Sequence, residues 1–329
     1  MAWASGIARS MMVWLLAALA LPAAAQPSHT QVSPLLNGLP DFTAQADGGT
    51  QLEWGRSAGW ALGEHRKLAR ALATLQPQRK GVVDAYVVSI ALDSDPVFGR
   101  EAREAGKVLA RRYDATGRTI VLAGPDSPAA SSLPHGSPES LSIALARIAE
   151  LMDPAEDALI LYTTSHGAPF GIVYADGDAG HGLISPYWLW TTLNQLKVKN
   201  RLLILSACFS GIFAPLLSSD EGVVITAAAS DRTSFGCVSE NDWTFFGDAM
   251  VNHALRKPQP IDRAFAEARS MVGGWEAQGR LIPSNPQIAA GAGASRWLTA
   301  LDQRSPKAPT APVGRPAAEA LPEAQRRNH

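Results

Sequence analysis

Five apolar, β-branched runs constrain this chain more than any other feature. They are "VVDAYVVSIAL" (82–92), "RTIVLA" (118–123), "ALILYTT" (158–164), "RLLILSAC" (201–208) and "GVVITAAA" (222–229). All read as strands; the long, β-branched first run predicts a central strand covered on both faces, and the run at 158–162 a buried one. Between them lie stretches of helical composition: "FGREAREAGKVLARRY" (98–113), "SPESLSIALARIAELM" (137–152) and "PYWLWTTLNQLK" (186–197). Strands separated by helices predict βαβ units and a mostly parallel sheet, and right-handed crossovers place helices on both faces. Ser137 and Ser140 are the N-cap candidates of the second helix. After Asp242 the pattern is helical, in "WTFFGDAMVNHALR" and "PIDRAFAEARSMV".

The ends of the chain read differently. Arg9, the apolar stretch Met11–Leu21 and the small residues of "PAAAQ" predict a signal peptide over residues 1–25, cleaved after Ala25. The apolar stretch is shorter than the roughly 20 residues that span a bilayer, so no membrane partner is expected after cleavage. The mature protein is expected in a periplasm or secreted. Residues 26–80 read as an N-terminal extension with one helix, "GWALGEHRKLARALATL" (59–75). Residues 81–300 read as one α/β domain, and 301–329 as a disordered Pro/Ala-rich tail. A net charge of -1 argues against a nucleic-acid partner.

In open parallel sheets, sites form beyond the carboxyl ends of the strands. Here those ends carry Asp93-Ser94-Asp95, Ser165-His166-Gly167 and Cys208-Phe209-Ser210-Gly211. A cysteine nucleophile needs an acid/base and donors for a developing oxyanion. His166 offers the first, and Gly167 lets a carbonyl approach the backbone closely. A helix beginning at "FSGIFAPLL" would favour a thiolate at Cys208. The competing reading is inert: a strand-end histidine and a buried cysteine are commonly structural. The two cysteines, Cys208 and Cys237, are also expected to couple in an oxidising compartment.

The order of these motifs carries a resemblance. "TSHGA", then "LSACFSG" with 42 residues from His166 to Cys208, then "ITAAASDRTSFGC" (225–237) and "FFGDA" (245–249), resemble the legumain family of cysteine peptidases. The resemblance spans about 82–270 and implies a three-layer caspase-like sandwich. It implies Cys208 as nucleophile, His166 as acid/base, and the N–H groups of Gly167 and Cys208 as oxyanion hole. Some members carry a third polar residue at the end of the first strand, for which Asp93 or Ser94 is the candidate. Ser234 and Asp248 match residues lining the substrate pocket. At Ser206, asparaginyl peptidases have a glutamate, and their pocket arginine has no evident counterpart, although Arg100 and Arg103 are near. Cys237 matches a cysteine of the family's own pocket loop, which favours a free Cys208.

The resemblance thus implies an exported cysteine endopeptidase acting on peptide or protein substrates, with no metal or organic cofactor. The alternatives are a transpeptidase of the same fold, or a non-catalytic cell-envelope binding module docking through Trp188, Trp190 and Trp243. An α/β-hydrolase reading fails because Ser206 and Ser210 stand where its nucleophile turn needs glycines. The cluster Asp176, Asp178 and His181 in "YADGDAGHG" fits neither an EF-hand nor a zinc motif and predicts a hairpin turn.

Overall fold

The structure is a computed structural model, and it describes residues 42–124 and 131–322. The expected signal peptide therefore lies outside the described residues.

The chain enters through a short helix α1 (Phe42–Asp47), a strand β1 (Gln51–Glu53) and the helix α2 (Ala58–Ala73), N-capped by Ser57. The extension thus holds more than the one helix expected. Next come β2 (Ala85–Ala91), α3 (Pro96–Arg112), β3 (Thr119–Leu122) and α4 (Pro138–Leu151). Both candidate caps of α4 are used. Ser137 Oγ accepts from Ser140 N at 3.0 Å, and Ser140 Oγ accepts from Ser137 N at 2.8 Å, a reciprocal capping box.

Strand β4 (Ala158–Thr164) leads into a small antiparallel set: β5 (Gly167–Ala168), β6 (Gly171–Asp176) and β7 (Gly180–Ile184). Helix α5 (Pro186–Gln195), β8 (Arg201–Ser206), α6 (Ala214–Leu217) and β9 (Gly222–Thr226) follow. The chain then runs through α7 (Phe245–Gly247), which passes into π and 3-10 turns to Arg256, and α8 (Ile261–Gly279). Strand β10 (Gln287–Ala290) and α9 (Ala294–Arg304) complete the domain.

The main sheet has the order β10-β9-β8-β4-β2-β3, with only β10 antiparallel. Every residue of β2, β4, β8 and β9 is buried, as the unbroken apolar runs require. Alternate residues feed two cores. Ala85 and Val87 point to the α3 and α8 side, with Leu109 and Phe265, while Tyr86, Val88 and Ile90 point to the α4 and α5 side, with Leu145 and Leu193. This is the expected three-layer α/β sandwich. At roughly 1.5–3 kcal/mol per buried large aliphatic side chain, the two cores supply most of the drive to fold.

A second sheet, β1-β7-β6-β5, lies over the carboxyl edge and ties the extension to the domain. The Asp176–His181 segment is the hairpin turn predicted for it, with Gly177 at φ 57°. Asp176 pairs with Arg56 at 2.6 Å, and the His181 ring meets Trp54 at 5.2 Å. The hairpin is thus a dock for the extension, and His181 turns away from the strand ends.

The tail expectation is corrected by packing. Residues 305–322 lie along the domain, and Ala317 and Leu321 are buried in the α8 core. The Val313 carbonyl accepts from Trp243 Nε1 at 2.8 Å, and Ala317 N donates to Asp248 Oδ2 at 2.7 Å. A Pro- and Ala-rich composition hides these contacts because the backbone makes them. Residues 323–329 lie outside the described residues. No helix among the described residues is long and apolar enough to cross a membrane.

Candidate active site

The sheet register sets the site. Thr164 of β4 and Ser206 of β8 are Cα partners, so His166 and Cys208 each stand two residues past one common rung. The backbones meet just beyond it. A Cβ on Gly167 would lie 1.9 Å from the Cys208 carbonyl oxygen, so glycine is required there by contact.

Past Cys208 the chain turns sharply. Phe209 adopts φ 57°, and its N–H donates to the Arg232 carbonyl at 2.7 Å. A 3-10 turn (Ser210–Phe213) and the one-turn α6 follow. The helix expected to favour the thiolate is therefore too short to act as a strong dipole. Local donors do that work instead. Cys208 Sγ accepts from Ser234 N at 3.2 Å and lies 3.7 Å from Ser234 Oγ. The Cys237 thiol makes a side-chain hydrogen bond to the same sulfur. That hydrogen bond, with those from Ser234 and the charge of His166, outweighs burial and draws the Cys208 pKa down to about 6. Cys237 moves the opposite way, because its neighbour's charge and its own burial favour the neutral thiol. Both cysteines are free.

His166 is held from α3. Asp95 is the N-cap of that helix, yet its side chain makes no capping bond, and Oδ2 stands 3.6 Å from His166 Nε2. The Phe98 ring meets the imidazole edge-on, centroids 5.0 Å apart. Burial opposes protonation of His166. The Asp95 hydrogen bond and the charges of Asp93, Asp95 and Cys208 outweigh it, so the pKa rises above the ordinary histidine value.

The third-residue candidates stand one step removed. Asp93 is buried, and its Oδ1 accepts from Asp95 N at 2.8 Å, fixing the segment that carries Asp95. Ser94 turns to the hairpin, where its Oγ accepts from Gly177 N at 2.8 Å. Asp95, adjacent in sequence to both, makes the direct contact. Donor atoms of Asp93, Asp95 and His166 all lie within 4.8 Å of one another, the one such group among the described residues close enough to share a cation.

The pocket candidates divide. Ser234 cradles the Cys208 sulfur, as above. Ser206 is buried beneath the site, its Oγ donating to Glu101 Oε1 at 3.1 Å. Asp248 is 0% exposed and accepts from Asn252 Nδ2 at 2.7 Å and from Ala317 N, so it anchors the C-terminal strap and lines no substrate pocket. Arg100 is committed to the 239–242 loop, donating to the Ser239 carbonyl at 2.5 Å, and Arg103 donates to Ala123 O at 3.4 Å.

The face of α3 was the part missed from sequence. Asp95, Phe98 and Glu101, spaced by three, all reach the strand ends. An Asp-Pro pair opening a helix straight after a strand is the one local sign of it.

Residues 139–282 match the model of the Peptidase C13 family. Over that segment the chain is similar to the legumain-type cysteine peptidases. The matched segment holds His166, Gly167 and Cys208 and is narrower than the resemblance read from the motifs, starting after α3. Among solved structures, the chain is similar to caspase-1 from Spodoptera frugiperda at 12% identity, covering 65% of this chain and 92% of that one, with a TM-score of 0.41. It is also similar to pro-sf-caspase-1 at 12% identity and the same coverages, with a TM-score of 0.38. No curated protein matches the chain.

Proposed function

We propose that this legumain-like chain is an exported endopeptidase working through a Cys208–His166 dyad. The observation that carries the reading is the paired electrostatics of two strand ends on one rung. The Cys208 sulfur is favoured as thiolate, and the His166 imidazole is favoured as imidazolium.

The thiolate attacks the scissile carbonyl carbon and forms a C–S bond, and the carbonyl electron pair moves onto oxygen. The N–H groups of Gly167 and Cys208 receive that oxyanion. As the carbonyl re-forms, the C–N bond breaks and His166 gives its proton to the departing amine. Neutral His166 then takes a proton from water, whose oxygen attacks the thioester, and the carboxylate leaves as Cys208 regains its thiolate. Asp95 orients the imidazole and offsets its charge, as the third residue of the site. Export rests on the N-terminal signal pattern.

Labelling with a thiol-reactive peptidyl probe series tests the dyad. Cys208→Ala is expected to abolish labelling, and His166→Ala to slow it at least 100-fold. Labelling that persists in Cys208→Ala overturns the nucleophile assignment. Sequencing the mature protein from an export-competent cell is expected to start at Gln26, and an intact Met1 terminus removes the export reading. Adding a free amine nucleophile to the reaction separates hydrolysis from transpeptidation by the products.

A further inference from the structure

We propose that Glu101 is a positioning residue for this site: its buried carboxylate ties the strand ends bearing His166 and Cys208 to the start of α7, and from behind them it biases which of two neighbouring cysteine sulfurs is the nucleophile. This rests on the reading of Cys208 as nucleophile.

Glu101 lies on α3 and is 0% exposed. A carboxylate out of water must be compensated by donors or by a cation. Among the described residues it has no ion-pair partner, and neutral donors surround it. Oε1 accepts from Tyr162 Oη at 2.5 Å, Thr164 Oγ1 at 2.7 Å and Ser206 Oγ at 3.1 Å. Oε2 accepts from Thr244 N at 2.9 Å and Thr244 Oγ1 at 2.8 Å. The Thr244 hydroxyl also accepts from Gly247 N at 2.9 Å, so its own proton is available to the carboxylate. Five such bonds fill the acceptor positions of both carboxyl oxygens.

The addresses of these donors give the role. Thr164 stands two residues before His166, and Ser206 two residues before Cys208. Thr244 closes the loop that carries Ser234 and Cys237 and starts α7. One side chain therefore joins the three segments that set the distance from imidazole to sulfur. The contact is tight: a Cβ at Gly247 would lie 2.0 Å from Glu101 Oε2, so α7 backs directly onto the carboxylate. The family's glutamate before Ala-Cys is absent at position 206, and this carboxylate bonds to the serine standing there.

The charge has a second effect. Cys237 packs against a small apolar cluster that includes Phe98 and Ala102, the residues on either side of Glu101 along α3. Two sulfurs share a hydrogen bond here, and only one can be the nucleophile. The hydrogen bond with Cys208, burial and the Cys208 charge disfavour ionisation of Cys237 first, and the charges of Glu101 and Asp93 add to them. Cys237 stays a thiol and donates, and Cys208 receives the hydrogen bond as thiolate.

Site-resolved alkylation by iodoacetamide from pH 5 to 9, read by peptide mass spectrometry, tests this alongside kcat/KM. In wild type, Cys208 reacts with a midpoint near pH 6, and Cys237 stays unlabelled through pH 8. In Glu101→Gln the Cys208 midpoint rises by about one unit, a tenfold slower reaction near pH 6, and Cys237 becomes labelled below pH 8. Cys237→Ala raises the Cys208 midpoint similarly, and adding Glu101→Gln to it shifts that midpoint no further. Glu101→Asp keeps the charge, so Cys237 stays unlabelled while kcat/KM falls through looser geometry; this variant serves if Glu101→Gln does not fold. Unshifted Cys208 and Cys237 profiles in Glu101→Gln, or labelling of Cys237 in Glu101→Asp equal to that in Glu101→Gln, overturn the proposal and leave the nucleophile reading intact. A wild-type Cys208 no faster than free cysteine overturns both.

Discussion

Asp95 Oδ2 stands 3.6 Å from His166 Nε2, and Asp95 reaches it from the N-cap of a helix, not from the end of a strand. The carboxylate that would ordinarily cap α3 is turned onto the imidazole. Removing its charge should lower the His166 pKa toward the ordinary value. The alkaline limb of the kcat/KM profile in Asp95→Asn is then expected to move to lower pH, with a loss of about tenfold or more near neutrality. Ser94→Ala, whose hydroxyl serves the hairpin, should leave that limb in place.

Gly167 is fixed by the approach of Cys208. In Gly167→Ala the new methyl group would meet a backbone carbonyl, so the strand ends must part. A displacement near 1 Å is enough to cost about 100-fold in rate. We expect that loss in kcat/KM, with Cys208 still open to a small alkylating agent.

Asp248 should behave as a structural anion. Its two oxygens hold Asn252 and the backbone of Ala317 without exposure to solvent. Asp248→Ala is expected to destabilise by about 2–3 kcal/mol in urea denaturation, since it strands buried donors. Substrate preference among residual activities should not change.

The C-terminal strap supports the pocket loop. Arg315 N donates to Asp242 Oδ2 at 2.8 Å, the Arg315 guanidinium reaches the Glu240 carbonyl, and Val313 holds Trp243. Ending the chain at Arg304 should expose the loop 236–244 to proteolysis and lower the melting temperature. Limited digestion of full-length and shortened chains, read by mass spectrometry, checks the cleavage positions.

His135 makes the extension acid-sensitive. Burial lowers its pKa, outweighing the charges of Asp176, Glu64 and Glu53 that favour protonation, while Arg56 adds to the lowering. Tyr174 donates its only hydroxyl proton to Glu53, so His135 Nε2 carries the proton of its 3.0 Å bond to Tyr174. The unfolded chain therefore takes up a proton before the folded one as pH falls through about 6.5. Stability should be full above that value and decline below it. His135→Asn should flatten the decline in melting temperature between pH 7 and pH 5.

The layers of the fold were readable because their cause is local and repeated. Unbroken runs such as "ALILYTT" are buried on both faces, and helices α4 and α5 between them carry their own serine caps. The positions of His166, Gly167 and Cys208 followed from the strand ends. The roles of Asp95 and Glu101 did not, since a charged residue on a helix is ordinarily solvated, and only the packing of α3 over β2 and β4 turns these two inward. Asp248 misled for the converse reason. Besides the nearby Asn252 and His253, its backbone partner Ala317 comes from a segment about 70 residues later whose composition promised no contact.

The shared rung of Thr164 and Ser206 has an evolutionary consequence. The register of the two strand ends is written into a ladder of backbone hydrogen bonds, which substitutions on the surrounding loops leave unchanged. The excursion from 168 to 200 and the loop from 230 to 244 begin outside that ladder. Lineages of this chain are free to lengthen, shorten or re-charge those excursions, exploring new substrates while the reacting atoms stay in register.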